Sequence, residues 1–192
     1  MKFLFISQPT QRKSWNTFTW IKAHPLSSPV VVRSLDVNKD LFRPKEDDEE
    51  TLGPEVSYLS AIGVLIYPTN YTRPDIAFPV NLLARHSSAP TWRNWNGVKH
   101  VLCYLRRTTD MRLFYSSCSN PQLVRYADAC YLSDPHKGRS QTWYLFTYSN
   151  TAISWRFVKQ TISATSSNHS EIIAIHEVSR ECVWLRSVIW HI

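Results

Sequence analysis

Apolar side chains recur every three to four residues between Glu55 and Arg107, and this spacing predicts three helices that each bury one face. The predicted buried positions are Val56, Leu59, Ile62, Gly63 and Ile66 in the first helix, Ile76, Val80 and Leu83 in the second, and Trp95, Val98, Leu102 and Leu105 in the third. Pro79 lies inside the second predicted helix. A proline there removes a backbone hydrogen bond and costs about 3 kcal/mol, so we expect it to weaken this helix.

Beyond Asp110 the apolar period changes from that of helices to that of strands. The segments MRLFYS (111–116) and Leu123–Leu132 are predicted strands, and WYLFTYS and TAISWRFV are predicted to form a hairpin around Ser149 and Asn150. A short β-prone run also covers Val30–Leu35. The chain is therefore predicted to have an α+β fold.

Asp128 is the unusual residue of the strand Leu123–Leu132. Alternation places Val124, Tyr126, Asp128 and Cys130 on one face and Arg125, Ala127 and Ala129 on the other. Aspartate is depleted inside strands, so its presence indicates a function. The alternative is an aspartate at a frayed strand edge.

A long helix is predicted after the polar segment Thr165–Asn168, which can cap its N-terminus. One stripe of this helix carries Ala174, Ile175, Val178, Cys182, Leu185 and Ile189. Glu171 lies one turn earlier on the same stripe, so we expect it to point toward the sheet and toward Asp128. A carboxylate on a strand and another on the helix that follows the hairpin can build a divalent-metal site.

Composition limits the class of protein. The 192 residues suffice for one domain or two small ones, and 43% apolar content is enough for a packed core. A net charge of +7 favours polyanionic partners, nucleic acid first, although a basic protein without such a partner is the alternative. The four cysteines lack zinc-type spacing, and the first residues are too briefly apolar for a signal peptide or a membrane span. We therefore expect reduced thiols, no membrane partner, and a cytoplasmic or nuclear rather than secreted protein.

Two basic segments are candidate phosphate-binding surfaces, and one acidic segment is predicted not to bind a cation. The turn-rich loop Ser133–Ser140 could bind a phosphate, and the predicted nucleic-acid-binding residues are Lys137, Arg139, Ser140 and Lys159. A turn without a ligand is the alternative. The third helix has a polar face with Arg93, Lys99, Arg106 and Arg107, which could contact phosphates or simply face solvent. The acidic run 46–50 is predicted to be a solvated linker, because adjacent carboxylates repel one another and cannot converge on a cation.

The order and spacing of seven motifs resemble the Pol polyprotein of copia-type retrotransposons. These motifs are LSAIGVLIY, TRPDIAF, WNGVKHVLCYLRRTTD, YADACYLSD, SQTWYLF, ISWRFVKQ and SSNHSEIIA. The resemblance implies a helical region at 21–115 like the thumb and connection of reverse transcriptase, and a partial ribonuclease H-like domain at 116–192. That domain would be a three-stranded antiparallel sheet with one long helix. Residues 1–20 remain unassigned.

The same resemblance implies the site chemistry. Asp128 matches the first-strand aspartate and Glu171 the first-helix glutamate of ribonuclease H, which help to hold Mg²⁺ for cleavage of RNA in an RNA–DNA hybrid. The chain stops at Ile192, and neither the later carboxylates of that site nor the paired aspartates of the polymerase palm occur in it. We therefore expect a catalytically incomplete segment. The alternative is a non-catalytic module that binds nucleic acid or another Pol molecule.

Several residues depart from the family pattern. Arg107, Arg125 and Trp143 stand where the family has glycines. If the face of Arg125 packs on a helix, an unpaired guanidinium there is expected to cost several kcal/mol. By resemblance, a further strand would pair with the Asp128 strand, so this strand is expected to be an exposed edge that allows self-association.

Overall fold

The computed structural model describes residues 26–30, 40, 42–116, 122–134 and 138–191. The chain divides between Phe114 and Tyr115 into two compact units. The unassigned segment 1–20 and all of the predicted run Val30–Leu35 except Val30 lie outside the described residues. The identities of the two regions as thumb and connection and as ribonuclease H-like domain stay predictions.

The first unit is helical, with α1 at Tyr58–Tyr71, a 3₁₀ turn at Pro74–Ile76, α2 at Ala77–Ala84 and α3 at Trp92–Arg107. The three predicted helices are confirmed. All the predicted stripe positions of α2 and α3 are buried: Val80 and Leu83, with Ile76 just before α2, and Trp95, Val98, Leu102 and Leu105. The phase of α1 was predicted wrongly, because Leu59 and Ile66 are exposed while Ala61, Ile62 and Leu65 are buried. The sequence of α1 is apolar on nearly every side, so its spacing does not define one face.

The prolines of this unit occupy different positions in its helices. Pro74 begins the 3₁₀ turn, as expected for a residue with a fixed φ and no N–H to lose. Pro79 is the third residue of α2, where the backbone N–H has no partner within the helix in any case. The expected weakening of α2 is therefore wrong. Pro68, by contrast, lies beyond the first turns of its helix, in the interior of α1.

A buried polar network joins the 3₁₀ turn to the end of α3. Arg73 is 6% exposed and donates to both carboxylate oxygens of Asp75, at 2.9 and 2.7 Å. It also donates to the backbone oxygen and the hydroxyl of Thr108, at 3.1 and 2.7 Å, and Tyr104 donates to Asp75 at 2.8 Å. The guanidinium thus satisfies the C-terminal carbonyl of α3 and a partly buried carboxylate together.

The second unit is built on an antiparallel sheet in the order β1 (Leu123–Asp134), β2 (Arg139–Tyr148) and β3 (Thr151–Lys159). Ser149 and Asn150 both have positive φ, 49° and 63°, as a two-residue hairpin turn requires. The predicted hairpin is confirmed. The prediction of a strand in MRLFYS is wrong, because 111–116 has no regular structure. The pattern of apolar and polar residues in this segment is too short to distinguish a strand from an extended linker.

Helix α4 (Ser167–Trp190) covers one face of the sheet. Ser166 caps it by accepting a hydrogen bond from the backbone N–H of His169 at 3.1 Å, which confirms the predicted cap. The core of this unit consists of Tyr144, Phe146, Val178, Cys182 and Leu185. Ile175 was predicted to face the core but is 58% exposed. The described fold is therefore α+β, with a three-stranded antiparallel sheet packed against one long helix.

Candidate functional site

Asp128 lies on the face of the sheet that α4 does not cover. The strand register pairs Arg125 with Phe146 and Asp128 with Trp143, and directly paired residues share a face. Phe146 packs against α4, so Asp128 projects from the opposite face, where it is exposed. The prediction that the helix covers the face of Asp128 is wrong, because alternation fixes which residues share a face but not which face is covered.

Arg125 lies on the helix-covered face, and its Nη1 is 3.4 Å from Cys182 Sγ. The residue is nevertheless exposed, because β1 pairs only with β2 among the described strands and is therefore an edge of the sheet. The guanidinium reaches water past that edge. The expected burial cost of several kcal/mol is therefore wrong. Whether the edge supports self-association stays a prediction.

Trp143 holds the Asp128 carboxylate. Its indole Nε1–H donates to Asp128 Oδ2 at 2.9 Å, within the range of a normal N–H···O bond. The sequence singled out Trp143 only as a replacement for a glycine. The link to Asp128 depends on the register of β1 and β2, and the sequence of a connecting loop does not define that register as a two-residue turn would.

Asp128 and Glu171 act on the same thiol. Burial raises the pKa of Cys130, and the negative charges of Asp128 and Glu171 raise it further. Cys130 follows Asp128 on the same face of β1, and Glu171 is in the second turn of α4. The structure thus brings both predicted carboxylates within electrostatic range of one sulfur atom, although they come from different elements.

These donors fit one Mg²⁺ ion better than a pair. Mg²⁺ is commonly held by one or two carboxylates while water completes its octahedral shell. No group of three or more histidine, cysteine, aspartate or glutamate residues suited to a metal ion occurs in the part of the chain that the structure describes. Two carboxylates are the number of protein ligands that one hydrated ion commonly takes, whereas a two-metal centre needs more, and metal binding by Asp128 and Glu171 stays a prediction.

The predicted phosphate-binding residues differ in burial and in their partners within the protein. Ser140 is fully buried, and its hydroxyl accepts from the backbone N–H of Leu132 at 3.2 Å. Lys159 forms an ion pair with Asp134. Arg139 is half-buried at the start of β2, and Lys137 lies outside the described residues. Ser140 and Lys159 thus have internal partners, and the role of all four at a phosphate stays a prediction.

The basic face of α3 is also partly used inside the protein. Arg93 donates to Glu49 at 2.7 Å and to the backbone oxygen of Asp40 at 3.1 Å. Glu49 is accordingly half-buried, whereas the rest of the acidic run 46–50 is exposed, as predicted for a solvated linker. Arg106 and Arg107 are exposed at the end of α3, where positive charge complements the helix dipole.

Comparison with known proteins gives consistent relatives. The chain is 35% identical, over 94% of its length, to the retrovirus-related Pol polyprotein from transposon TNT 1-94 of Nicotiana tabacum. It is 32% identical over 69% of its length to the corresponding polyprotein from transposon RE2 of Arabidopsis thaliana. It spans only 14% and 9% of these two relatives. A third relative, secreted RxLR effector protein 161 of Plasmopara viticola, is 38% identical over 68% of this chain and 92% of its own length.

Comparisons with family models and with solved structures gave no match. Among the described helices, none is both long enough and apolar enough to cross a membrane.

Proposed function

The chain belongs to the family of Pol polyproteins of copia-type retrotransposons, and on that premise we propose that its unit from Tyr115 onward is a ribonuclease H-like segment. Asp128 and Glu171 are its metal-binding carboxylates. The helical residues before this unit correspond, on the same premise, to the thumb and connection of reverse transcriptase. The proposed substrate class is an RNA–DNA hybrid.

The observation that supports this proposal most is the order of the elements: Asp128 lies on the first strand of the three-stranded sheet, and Glu171 lies in the second turn of the helix that follows β3. A hairpin and a helix start separate the two carboxylates in the sequence, yet the negative charges of both raise the pKa of Cys130. Asp128 offers its carboxylate from the open face of the sheet, and Glu171 approaches from the beginning of α4. An aspartate on the first strand and a glutamate on the helix are the elements that the family resemblance implies for these roles.

The proposed activity is binding without cleavage by this chain alone. Bound Mg²⁺ would polarise a phosphate oxygen and lower the pKa of coordinated water. Two carboxylates can hold one hydrated ion on a phosphate, but in-line displacement at a two-metal site stabilises the attacking and the leaving oxygen with separate ions. We therefore propose that Asp128 and Glu171 anchor the hybrid through a single ion, while the net charge of +7 supplies the electrostatic attraction.

The test is a Mg²⁺-dependent assay on an end-labelled RNA–DNA hybrid, with Asp128→Asn and Glu171→Gln as matched variants. We expect the wild-type chain to bind the hybrid at about 50 mM salt, to lose affinity steeply as salt rises, and to cut no faster than Asp128→Asn. Robust cleavage that disappears in Asp128→Asn would overturn the proposed incompleteness. Absence of binding at low salt would overturn the choice of nucleic acid as partner.

A further inference from the structure

We infer that Trp143 is a positioning residue for the carboxylate of Asp128: its indole N–H holds Oδ2, so that Oδ1 is the oxygen offered to a divalent cation. The inference rests on the proposed function, since it concerns how Asp128 binds metal. The resemblance assigns no such role to this position, where the family has a glycine. It follows instead from one contact, Trp143 Nε1 to Asp128 Oδ2 at 2.9 Å.

The pairing of β1 with β2 places Asp128 beside Trp143. Asp128 and Trp143 are directly paired across β1 and β2, so their side chains leave the same face side by side. The Trp143 side chain is half-buried, and its cross-strand neighbour on β3 is Phe157. An indole that is held in this way has few rotamers, and its N–H therefore gives the carboxylate a defined orientation.

The choice of oxygen follows from the geometry of a carboxylate. An ionised carboxylate only accepts hydrogen bonds, and a donor on one oxygen restricts how that oxygen can contact a cation. Mg²⁺ requires near-ideal octahedral geometry and accepts a single carboxylate oxygen readily. Hydrogen bonds to metal-binding carboxylates orient them, and loss of such an outer contact commonly weakens metal binding about 10- to 100-fold. Trp143 is thus expected to favour a one-oxygen contact from Asp128.

The first experiment compares Mn²⁺ affinity among variants of the full chain, with free Mn²⁺ measured by electron paramagnetic resonance. Trp143→Phe keeps an aromatic ring and removes the N–H, and we expect its affinity to fall about tenfold. Trp155→Phe is the matched control, because Trp155 lies on the same face but is paired with Leu145. We expect the control to bind like the wild type and Asp128→Asn to lose the site.

The second experiment uses the wild-type chain, so its result does not depend on whether a variant folds. A chain labelled with ¹⁵N has eight tryptophans, and the indole resonance of Trp143 is expected to shift most during a Mg²⁺ titration, because its acceptor belongs to the carboxylate that meets the ion. A ring with a purely structural role would not respond in this way. An unchanged Trp143 resonance at saturating Mg²⁺ would overturn the inference, as would wild-type Mn²⁺ affinity in folded Trp143→Phe.

The outcomes separate this inference from the proposed function. Metal binding that requires Asp128 but not Trp143 overturns only the positioning role. A response of Trp143 to Mg²⁺ without any affinity for the hybrid overturns the nucleic-acid proposal and leaves the positioning role standing. Absence of Mn²⁺ binding in the wild-type chain overturns both the metal site and the inference.

Discussion

The two units of this chain pack their interiors in different ways. In the helical unit, thirteen described residues from α1 to α3 form one buried cluster, and Tyr104 of this cluster donates to Asp75 of the partly buried Arg73–Asp75 ion pair. In the sheet unit, the buried cluster has five described residues and occupies only the side of the sheet that α4 covers. Both candidate carboxylates belong to the thinner unit. Candidate chemistry is thus found where packing leaves side chains in contact with water, which a hydrated cation requires.

Phe146→Ala should show the largest effect, because the small core of the sheet unit depends on one fully buried aromatic side chain. Truncation of a buried phenylalanine costs about 3–5 kcal/mol. We expect amide hydrogen exchange to accelerate across β1–β3 and α4 and to change little in α1–α3. The matched change Phe114→Ala removes a phenylalanine that is 58% exposed and should have little effect. Equal loss of protection in both units would contradict the difference described above.

Asp75→Asn tests the polar interior of the helical unit, with a smaller expected effect of about 1–3 kcal/mol at neutral pH. Burial opposes ionisation of Asp75, but the hydrogen bonds from Arg73 and Tyr104 outweigh it, so the pKa of this carboxyl lies below its ordinary value of 3.8. A carboxyl whose pKa is lowered by folding stabilises the folded state above pH 3.8, and this contribution is lost as the pH falls toward the folded pKa.

Urea denaturation at pH 7 and pH 3 measures this contribution. The stability difference between wild type and Asp75→Asn should shrink at the lower pH, because the Asp75 carboxyl of the unfolded chain, with its pKa near 3.8, binds a proton there more readily than that of the folded chain. Asp110→Asn is the control, since Asp110 is exposed and the substitution removes the same charge. A gap between wild type and Asp75→Asn that stays constant with pH would argue against an ionised Asp75 in the network.

Gly63→Ala should give the smallest change, and of opposite sign. A Cβ at Gly63 would meet no atom within 4 Å, and replacement of a mid-helix glycine by alanine stabilises by about 0.5–1 kcal/mol. Gly97→Ala is the matched variant, because a Cβ there would lie 2.8 Å from Leu83 Cδ2 in the buried core. Thermal denaturation should rank Gly63→Ala above wild type and Gly97→Ala below Gly63→Ala. The reverse order would mean that the Leu83 side chain can move to accommodate a Cβ at position 97.

The sequence predicted the elements of this fold well where a period or a turn residue was unambiguous. The stripe of α3, the Ser149–Asn150 hairpin and the Ser166 cap are all present, because each depends on residues that are close in the chain. The phase of α1 was missed, since Leu59, Ile62, Gly63 and Ile66 occur in a segment that is apolar almost throughout. Local pattern defines a helix here but not its buried side.

The sequence named candidate residues for the site but not their geometry, and the role of these residues as metal ligands stays a prediction. Asp128 and Glu171 were identified from their elements and from family resemblance. Which face of β1 the helix covers, and which side chain of β2 meets Asp128, depend on packing and on strand register. Register across β1 and β2 is irregular between Cys130 and Asp134, and no sequence period records such an irregularity. The Trp143 contact therefore emerged only from the structure.

The order of the sheet has a consequence for how the chain folds. Strands β1, β2 and β3 are neighbours in the same order as they occur in the sequence, and α4 follows them directly. Each pairing closes a short loop, so little chain entropy opposes it, and a tight hairpin such as β2–β3 forms within about 1–10 μs in isolation. The hairpin can therefore nucleate this unit and recruit β1 beside it. The core around Phe146 also needs α4, whereas Asp128 and Trp143 are brought together by the pairing of β1 with β2 alone.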